Sequence, residues 1–452
     1  MERLIYPQLV KWKSSLGRKP LLLKGARQTG KTWLLKEFGR REFRNLVYCN
    51  FEAEPLLHSL FAESLRPQAV LPKLSSFSGQ EILPGETLLV LDEIQLSNNA
   101  LNSLKYFCEE APEYAVAAAG SLIGLKVSAP KSFPVGKVDL LDLYPMTLRE
   151  FLSAIGEERL RELVEDPAVR PLDELFHARL TDALRTYYVV GGMPEAVSLF
   201  ASHRSAEKAR AVQLTILNAY AMDFVKHVPP PDIPKVAAIW ESIPRHLAHE
   251  HKRFVFSALA KSARARDYEN ALQWLIDASL VHRCRGVEHV EVPLTAFTDP
   301  DAFKVYALDV GLLGALARLS PDTVIQGDEL FSTFHGAFVE NYVAQQLVAI
   351  QPQIDRDLHY WRSESRKAEV DFLVMVNGRV IPLEVKAGIN PRSKSLSTYG
   401  ERHRPPLLVR STLLNLRHDG AVLNIPLYAI ESLPAYLLRR LDKEDEGSKR
   451  LD

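Results

Sequence analysis

Gly25-Ala26-Arg27-Gln28-Thr29-Gly30-Lys31-Thr32 is the stretch that decides how this chain is read. It follows the apolar run Leu21-Leu22-Leu23 and leads into Trp33-Leu34-Leu35-Lys36-Glu37-Phe38, so it joins a strand to a helix. The two glycines let the backbone wrap closely. Successive N–H groups from Gly25 to Thr32, with the N-terminus of the following helix, can then face a phosphate. In that arrangement Lys31 reaches the β- and γ-phosphates of a nucleoside triphosphate, and the Thr32 hydroxyl ligates Mg2+. Downstream, Leu88-Leu89-Val90-Leu91-Asp92-Glu93 is a buried-type β run that ends in two acids. Asp92 is placed to hold the magnesium, directly or through water, and Glu93 to polarise the attacking water. A glycine turn and an ordinary acidic strand end would be the bland account. Both motifs stand in order and in context, so the chain is expected to bind a nucleoside triphosphate.

The composition sets wider bounds. At 452 residues, 46% hydrophobic and 25% charged, the chain has the make-up of a soluble globular protein with three or four domains. The 56 Lys and Arg balance 56 Asp and Glu, so overall charge argues neither for nor against nucleic acid, and only local patches can. Cys49, Cys108 and Cys284 are scattered, with neither metal-ligand spacing nor a disulfide framework, which fits a reducing cytoplasm. Met1 to Pro7 lacks the apolar core of a signal peptide, and no apolar run is long enough to span a bilayer. The expectation is a soluble, cytoplasmic protein with no membrane partner.

Along the chain, the fold class expected is α/β and multidomain. Residues 1–150 alternate β runs with helical patterns, as a parallel-sheet nucleotide domain should. Leu46 to Phe51 is expected as a strand beside the phosphate-loop strand, and Tyr114 to Ala119 as another, ending at Gly120-Ser121. Ser121 could sense a γ-phosphate or cap the next helix, and the residues leave both open. Residues 151–228 are mainly helical and form a candidate lid, interrupted by Gly191-Gly192-Met193-Pro194, a hinge or a plain loop. Pro229-Pro230-Pro231-Asp232-Ile233-Pro234 is the expected boundary before a winged-helix-like unit at 232–325. That unit holds the basic run Arg245 to Arg266, with Arg245, Lys252, Arg253, Lys261, Arg264 and Arg266 against Glu250. The run could meet phosphates or be a solvated helix face.

Residues 330–440 contain a second site. Asn377-Gly378 between two β-rich runs is a strong hairpin signal. A two-residue turn sets Val376 opposite Arg379, Asp371 opposite Glu384 and Glu369 opposite Lys386. Alternation puts those last four on one face, with Val370, Phe372, Val374, Ile381, Leu383 and Val385 on the other. Asp371 and Glu384 then form a non-hydrogen-bonded pair with Cβ atoms about 4.5–5.5 Å apart, where like charges repel. A divalent cation relieves that repulsion. Mg2+ takes carboxylate oxygens and keeps waters, one of which can attack a phosphodiester. Lys386 could orient that water or stabilise the developing charge, and Glu340, in the helical stretch Phe338 to Val343, could add a third carboxylate. The other account is a solvent-facing polar surface with Lys386 paired to Glu369. The residues leave the choice open.

The phosphate loop, Leu91-Asp92-Glu93-Ile94-Gln95, Gly120-Ser121, Leu143-Tyr144-Pro145 with Glu150-Phe151, the Gly191–Pro194 turn and Lys304 to Leu313 together resemble bacterial and archaeal AAA-type ATPases. The resemblance covers nearly the whole chain and is to the subfamily with a C-terminal restriction-endonuclease-like domain of unknown function. It implies ATP as the nucleotide and nucleotide roles for Lys31, Thr32, Asp92, Glu93 and Ser121. It also implies that Asp371, Glu384 and Lys386 match the PD-(D/E)xK nuclease pattern, with Glu340 as the helix carboxylate. One position departs from the family: Lys137 follows Gly136 where an arginine is common, and lysine lacks the planar fork of an arginine finger. The function expected is an ATPase coupled to nucleic-acid binding, DNA foremost, with metal-dependent cleavage as a further step and room for a homo-oligomer. The alternative is an ATP-controlled switch or scaffold whose nuclease-like domain binds without cutting.

Overall fold

The computed structural model describes residues 1–120, 134, 136–165, 170–249, 252–260, 263–326, 329–350, 358–365, 367–388 and 393–449. The chain divides into two compact units. The first comprises Met1–Tyr144 with Val225–Pro229 and Asp277–Ser279, and the second takes the rest. The helices expected as a lid on the nucleotide domain therefore fall, as far as Phe224, in the second unit.

The first unit is a parallel α/β sheet. Its elements are α1 (Tyr6–Ser14), β1 (Leu21–Lys24), α2 (Lys31–Glu42), β2 (Asn45–Asn50), α3 (Leu56–Glu63), α4 (Pro67–Ser78), β3 (Thr87–Asp92), α5 (Asn98–Glu110), β4 (Ala115–Gly120) and β5 (Asp139–Asp142). The sheet order is β2-β3-β4-β1-β5, with every pairing parallel. Central strands buried on both faces read as continuous apolar runs, and their alternate residues feed two separate cores. Leu22, Leu89, Leu91, Val116 and Ala118 enter one core, while Leu21, Leu23, Leu88, Val90, Ala117 and Ala119 enter the other. One expectation needs correction. β2 is not beside the phosphate-loop strand but at the edge, next to β3. β1 is flanked by β4 and by β5, a short half-buried Asp-Leu-Leu-Asp strand with no strong sequence signal of its own.

The second unit opens with helices: α6 (Leu148–Ala154), α7 (Glu158–Glu165), α8 (Glu174–Val190), α9 (Pro194–His203), α10 (Ala206–His227, of which 225–227 belong to the first unit), α11 (Ile233–Ala248) and α12 (Ala265–Asp277). It continues through β6 (Val281–Val287), β7 (Thr298–Ala307), α13 (Val310–Leu316), α14 (Pro321–Gln326) and α15 (Glu329–Ile350). The last elements are β8 (Leu358–Arg362), β9 (Glu369–Val376), β10 (Arg379–Val385), α16 (Lys394–His403), β11 (Leu408–Thr412), β12 (Arg417–Asp419), β13 (Val422–Pro426) and α17 (Leu433–Lys449). Its strands form a mixed eight-stranded sheet in the order β12-β13-β11-β10-β9-β8-β6-β7. The returning strand of the winged-helix-like unit, within β6, thus belongs to the C-terminal sheet, and β7 pairs beside it. β6 pairs antiparallel with β7 on one edge and parallel with β8 on the other, which satisfies both of its backbone edges.

Three motifs from distant parts of the sequence meet inside this unit. Thr147 and Glu150 form a reciprocal capping box that starts α6. Asp309 caps α13 by accepting from the Leu312 N–H at 2.9 Å, and also accepts from the Gly192 N–H at 2.6 Å. Gly191 has φ 68°, and a Cβ there would overlap the Asp309 carboxylate. A Cβ on Gly192 would overlap the Met146 carbonyl. The Gly-Gly turn is therefore a packed junction, and glycine is required by contact as well as by conformation.

Candidate functional site

The loop between β1 and α2 has the form that its sequence predicts. Gly25 (φ 156°), Gln28 (φ 65°) and Gly30 (φ 93°) take left-handed conformations, which curl the backbone before α2 begins at Lys31. A Cβ on Gly25 would strike the Leu143 carbonyl oxygen, so the loop closes against the segment after β5. Thr29 Oγ1 donates to the Ala26 carbonyl at 2.9 Å. Arg3 donates from Nη1 to the Thr29 carbonyl (2.9 Å) and from Nη2 to that of Tyr144 (2.6 Å). That brace was not foreseen, because nothing in the sequence near Met1 marks a partner so far along the chain.

Lys31 is 7% exposed and donates to the loop carbonyls of Gly25 (3.0 Å) and Ala26 (2.8 Å). Burial lowers its pKa to about 8, against the opposing pull of Glu93 and Asp92. Thr32 Oγ1 donates to Asp92 Oδ2 at 2.7 Å across the gap between α2 and β3. The Tyr48 hydroxyl donates to the same oxygen at 2.7 Å, and the Glu93 N–H donates to Oδ1 at 3.0 Å. Burial and Asp92 raise the Tyr48 phenol above its ordinary range, so it remains a donor. Asn50, the register partner of Asp92 on β2, donates to the Tyr48 oxygen at 3.0 Å, and Lys36 lies 3.6 Å from the centre of the Tyr48 ring. Tyr48 was missed as a site residue. Its hydroxyl, between the apolar Val47 and Cys49 of the strand, was the available signal.

A hydroxyl and a carboxylate 2.7 Å apart, beside a buried lysine and a glycine cradle, form an oxygen donor set suited to Mg2+ with a triphosphate. Glu93 is left-handed (φ 53°), which turns its side chain away from the strand direction, and the side chain accepts from Gln95. Ser121 lies outside the described residues. Lys137, the residue after Gly136, is partly exposed and paired with Glu109 at 2.9 Å.

The second site lies on the C-terminal sheet. Asn377 (φ 48°) and Gly378 (φ 72°) make the two-residue turn, and pairing runs from Val376–Arg379 to Phe372–Leu383 in the expected register. The apolar face is buried as anticipated. The polar face is only partly solvent-facing: Glu384 is 3% exposed while the Lys386 side chain is 41% exposed, and Glu340, on α15, is 5% exposed. These residues line a pocket of about 600 Å3 that includes Glu340, Glu369, Asp371, Glu384, Lys252 and Lys386.

Three lysines neutralise these acids. Lys386 pairs with Glu384 at 2.7 Å, not with Glu369. Lys252 pairs with Glu340, whose other oxygen accepts from the Tyr306 hydroxyl at 3.2 Å. Lys304 on β7, 1% exposed, lies 2.7 Å from Glu369, 3.8 Å from Asp371 and 3.8 Å from Glu340. Burial alone would raise the Glu340 pKa, but Lys252 and Lys304 carry it below its ordinary value. Burial, then Glu340 and Glu384, pushes Asp371 well above the carboxylate range. Asp371 Oδ2 accepts from the Val385 N–H at 2.8 Å, continuing the strand pairing through a side chain. Glu384 Oε2 is buried without a hydrogen-bond partner among the described residues.

Among the described residues, no group of three or more His, Cys, Asp or Glu is arranged to hold a metal ion. Glu340, Asp371 and Glu384 are brought to one pocket, as expected, but, Glu384 Oε2 apart, their hydrogen-bonded oxygens face lysines, a phenol and an amide, an arrangement that does not fit a divalent cation. Of the basic run, Lys261 and Glu250 lie outside the described residues, and three of the others are engaged. Arg245 donates to the Ala258 carbonyl, Arg253 to that of Asp301 (2.6 Å), and Lys252 to Glu340. Among the described residues, no helix is long and apolar enough to cross a membrane.

Comparison with known proteins matches three stretches to protein families. Residues 17–152 match the AAA domain, 181–323 a domain of unknown function (DUF8612) and 335–428 another domain of unknown function (DUF4143). No curated protein matches the chain. A Walker-type ATPase of Pyrococcus abyssi is similar in structure at 14% identity, covering 69% of this chain and 94% of that one, with a TM-score of 0.41. The RuvB Holliday junction branch migration motor of Thermotoga maritima is 17% identical over 63% of this chain and 86% of its own, with a TM-score of 0.27. The Orc1 protein of Aeropyrum pernix, solved in complex with DNA, is 15% identical over 70% and 90%, with a TM-score of 0.26. The AAA match spans the phosphate loop and Asp92, and it supports an AAA-type ATPase that binds ATP.

Proposed function

We propose that the protein hydrolyses ATP in its first unit and couples the nucleotide state to nucleic-acid binding by the second, whose nuclease-like pocket binds without cutting. The observation that carries the ATPase half is the Thr32–Asp92 pair, 2.7 Å apart beside the buried Lys31. Bound Mg2+, held by Thr32 and Asp92, would neutralise phosphate charge. The loop N–H groups and Lys31 bind the phosphates, Tyr48 and the Glu93 N–H keep Asp92 in place, and Glu93 takes the proton of the attacking water. Nucleic acid, DNA foremost, is favoured as the partner by the cationic lining of the C-terminal pocket, where Arg253, Arg362 and Lys367 accompany Lys252 and Lys386. Binding without cleavage is favoured by the lysines that already occupy its carboxylates.

The test is ATP turnover and fluorescence anisotropy of labelled DNA, with and without Mg·ATP, for wild type and Lys31→Ala. Wild type is expected to turn over ATP and to change its DNA affinity with nucleotide, and Lys31→Ala to do neither. DNA affinity indifferent to ATP in wild type would sink the coupling. Single-stranded, duplex and branched DNA should stay intact with Mg2+ or Mn2+. Cutting that disappears in both Asp371→Ala and Lys386→Ala would restore the nuclease reading.

A further inference from the structure

We propose, building on the pocket as a binding module, that the Lys304 ammonium is its resident cation and stands where a divalent metal would otherwise balance Glu340, Glu369 and Asp371. Lys304 is held there from several sides. It lies within 4 Å of all three carboxylates and 4.9 Å from the centre of the Tyr360 ring. Its backbone is fixed within the sheet by pairing with Cys284 of β6, and by a bridge to Arg253. A buried ammonium persists only when paired, and this one has a full set of partners.

A dication placed among the same oxygens would meet a positive charge at contact distance. Several of the other oxygens are also engaged. Asp371 Oδ2 takes the Val385 N–H, Glu340 takes Lys252 and Tyr306, and Glu384 Oε1 takes Lys386. Among the carboxylate oxygens of the described pocket residues, Glu384 Oε2 is the one that is buried and without a partner. One open acceptor does not make a metal site, but it does ask for a donor. The ligand that fits this pocket therefore brings an N–H or O–H group to Glu384, as a base amine or sugar hydroxyl of a bound strand would, and it binds without a metal.

The experiment titrates Mn2+ into the nucleotide-free full-length chain and counts free Mn2+ by electron paramagnetic resonance. Asp92→Asn serves as the background, so the phosphate loop contributes nothing. The background is expected to hold no Mn2+ at the pocket, and addition of Lys304→Met to gain about one equivalent, lost again with Asp371→Asn. A background that already binds Mn2+ through Asp371 would overturn the proposal, as would a folded Lys304→Met variant that gains none. Should Lys304→Met fail to fold, the melting temperature of the background with and without Mn2+ decides. No shift supports the proposal, and a shift that Asp371→Asn abolishes overturns it. The readout is metal, not DNA, so this assignment and the nucleic-acid proposal can fail separately.

Discussion

Burial holds the Lys31 ammonium at a pKa of about 8, with Glu93 and Asp92 resisting the shift and Arg27 adding to it. An unfolded lysine titrates at about 10.4, so keeping Lys31 charged in the folded loop costs about 3 kcal/mol. Between those two values the unfolded chain binds more protons than the folded one. The cost is thus fully present below pH 8 and is relieved as pH rises toward the unfolded value. A triphosphate pairs the ammonium and raises its pKa again, so binding must draw in a proton wherever the free loop is partly neutral. With the pKa of about 8, uptake is about 0.1 proton at pH 7, about 0.5 at pH 8 and about 0.9 at pH 9. Mg·ATP affinity weakens above pH 8, approaching about tenfold per pH unit. Isothermal titration calorimetry of Mg·ATP binding, repeated in buffers of different ionisation enthalpy, gives the uptake directly as a slope. An uptake that stays flat from pH 7 to 9 would refute the placement of Lys31 on the phosphates or its burial in the free loop.

Two substitutions test the supports around these groups. Tyr48→Phe removes one of three donors to Asp92, a charged hydrogen bond worth about 1.5 kcal/mol. ATP turnover should fall about tenfold and need more Mg2+ for half-maximal rate, whereas an unchanged Mg2+ dependence would make Tyr48 a packing residue only. Gly192→Ala drives a Cβ into the Met146 carbonyl of the capped junction, where backbone must move. Unfolding of the full chain in urea should show the second unit destabilised by about 3 kcal/mol, and a loss below about 1 kcal/mol would mean that the junction yields easily.

What could be read in advance follows the range of the interactions involved. The glycine loop, the buried runs of β1 and β3 and the Asn377-Gly378 turn are local. Conformational freedom at one or two residues and a period of two along a strand specify them, so the hairpin register that places Asp371 near Glu384 was legible before any coordinates. Sheet order was not. The parallel connections leave the choice of neighbour to helix packing, and β2 went to the edge while the weakly marked β5 took the place beside β1. The same gap hid the electrostatics of both sites. Tyr48 reaches Asp92 from β2, Arg3 reaches the loop from the N-terminus, and Lys304 reaches three carboxylates from a segment assigned to the 232–325 unit.

The sequence by itself therefore determined which residues can face phosphate and which acids share a strand face, because neighbouring dihedrals and side-chain alternation decide those things. Only the tertiary structure decided which cation faces which acid. A buried charge takes its partner from whatever the fold brings within about 4 Å, and three lysines from three separate segments did so here.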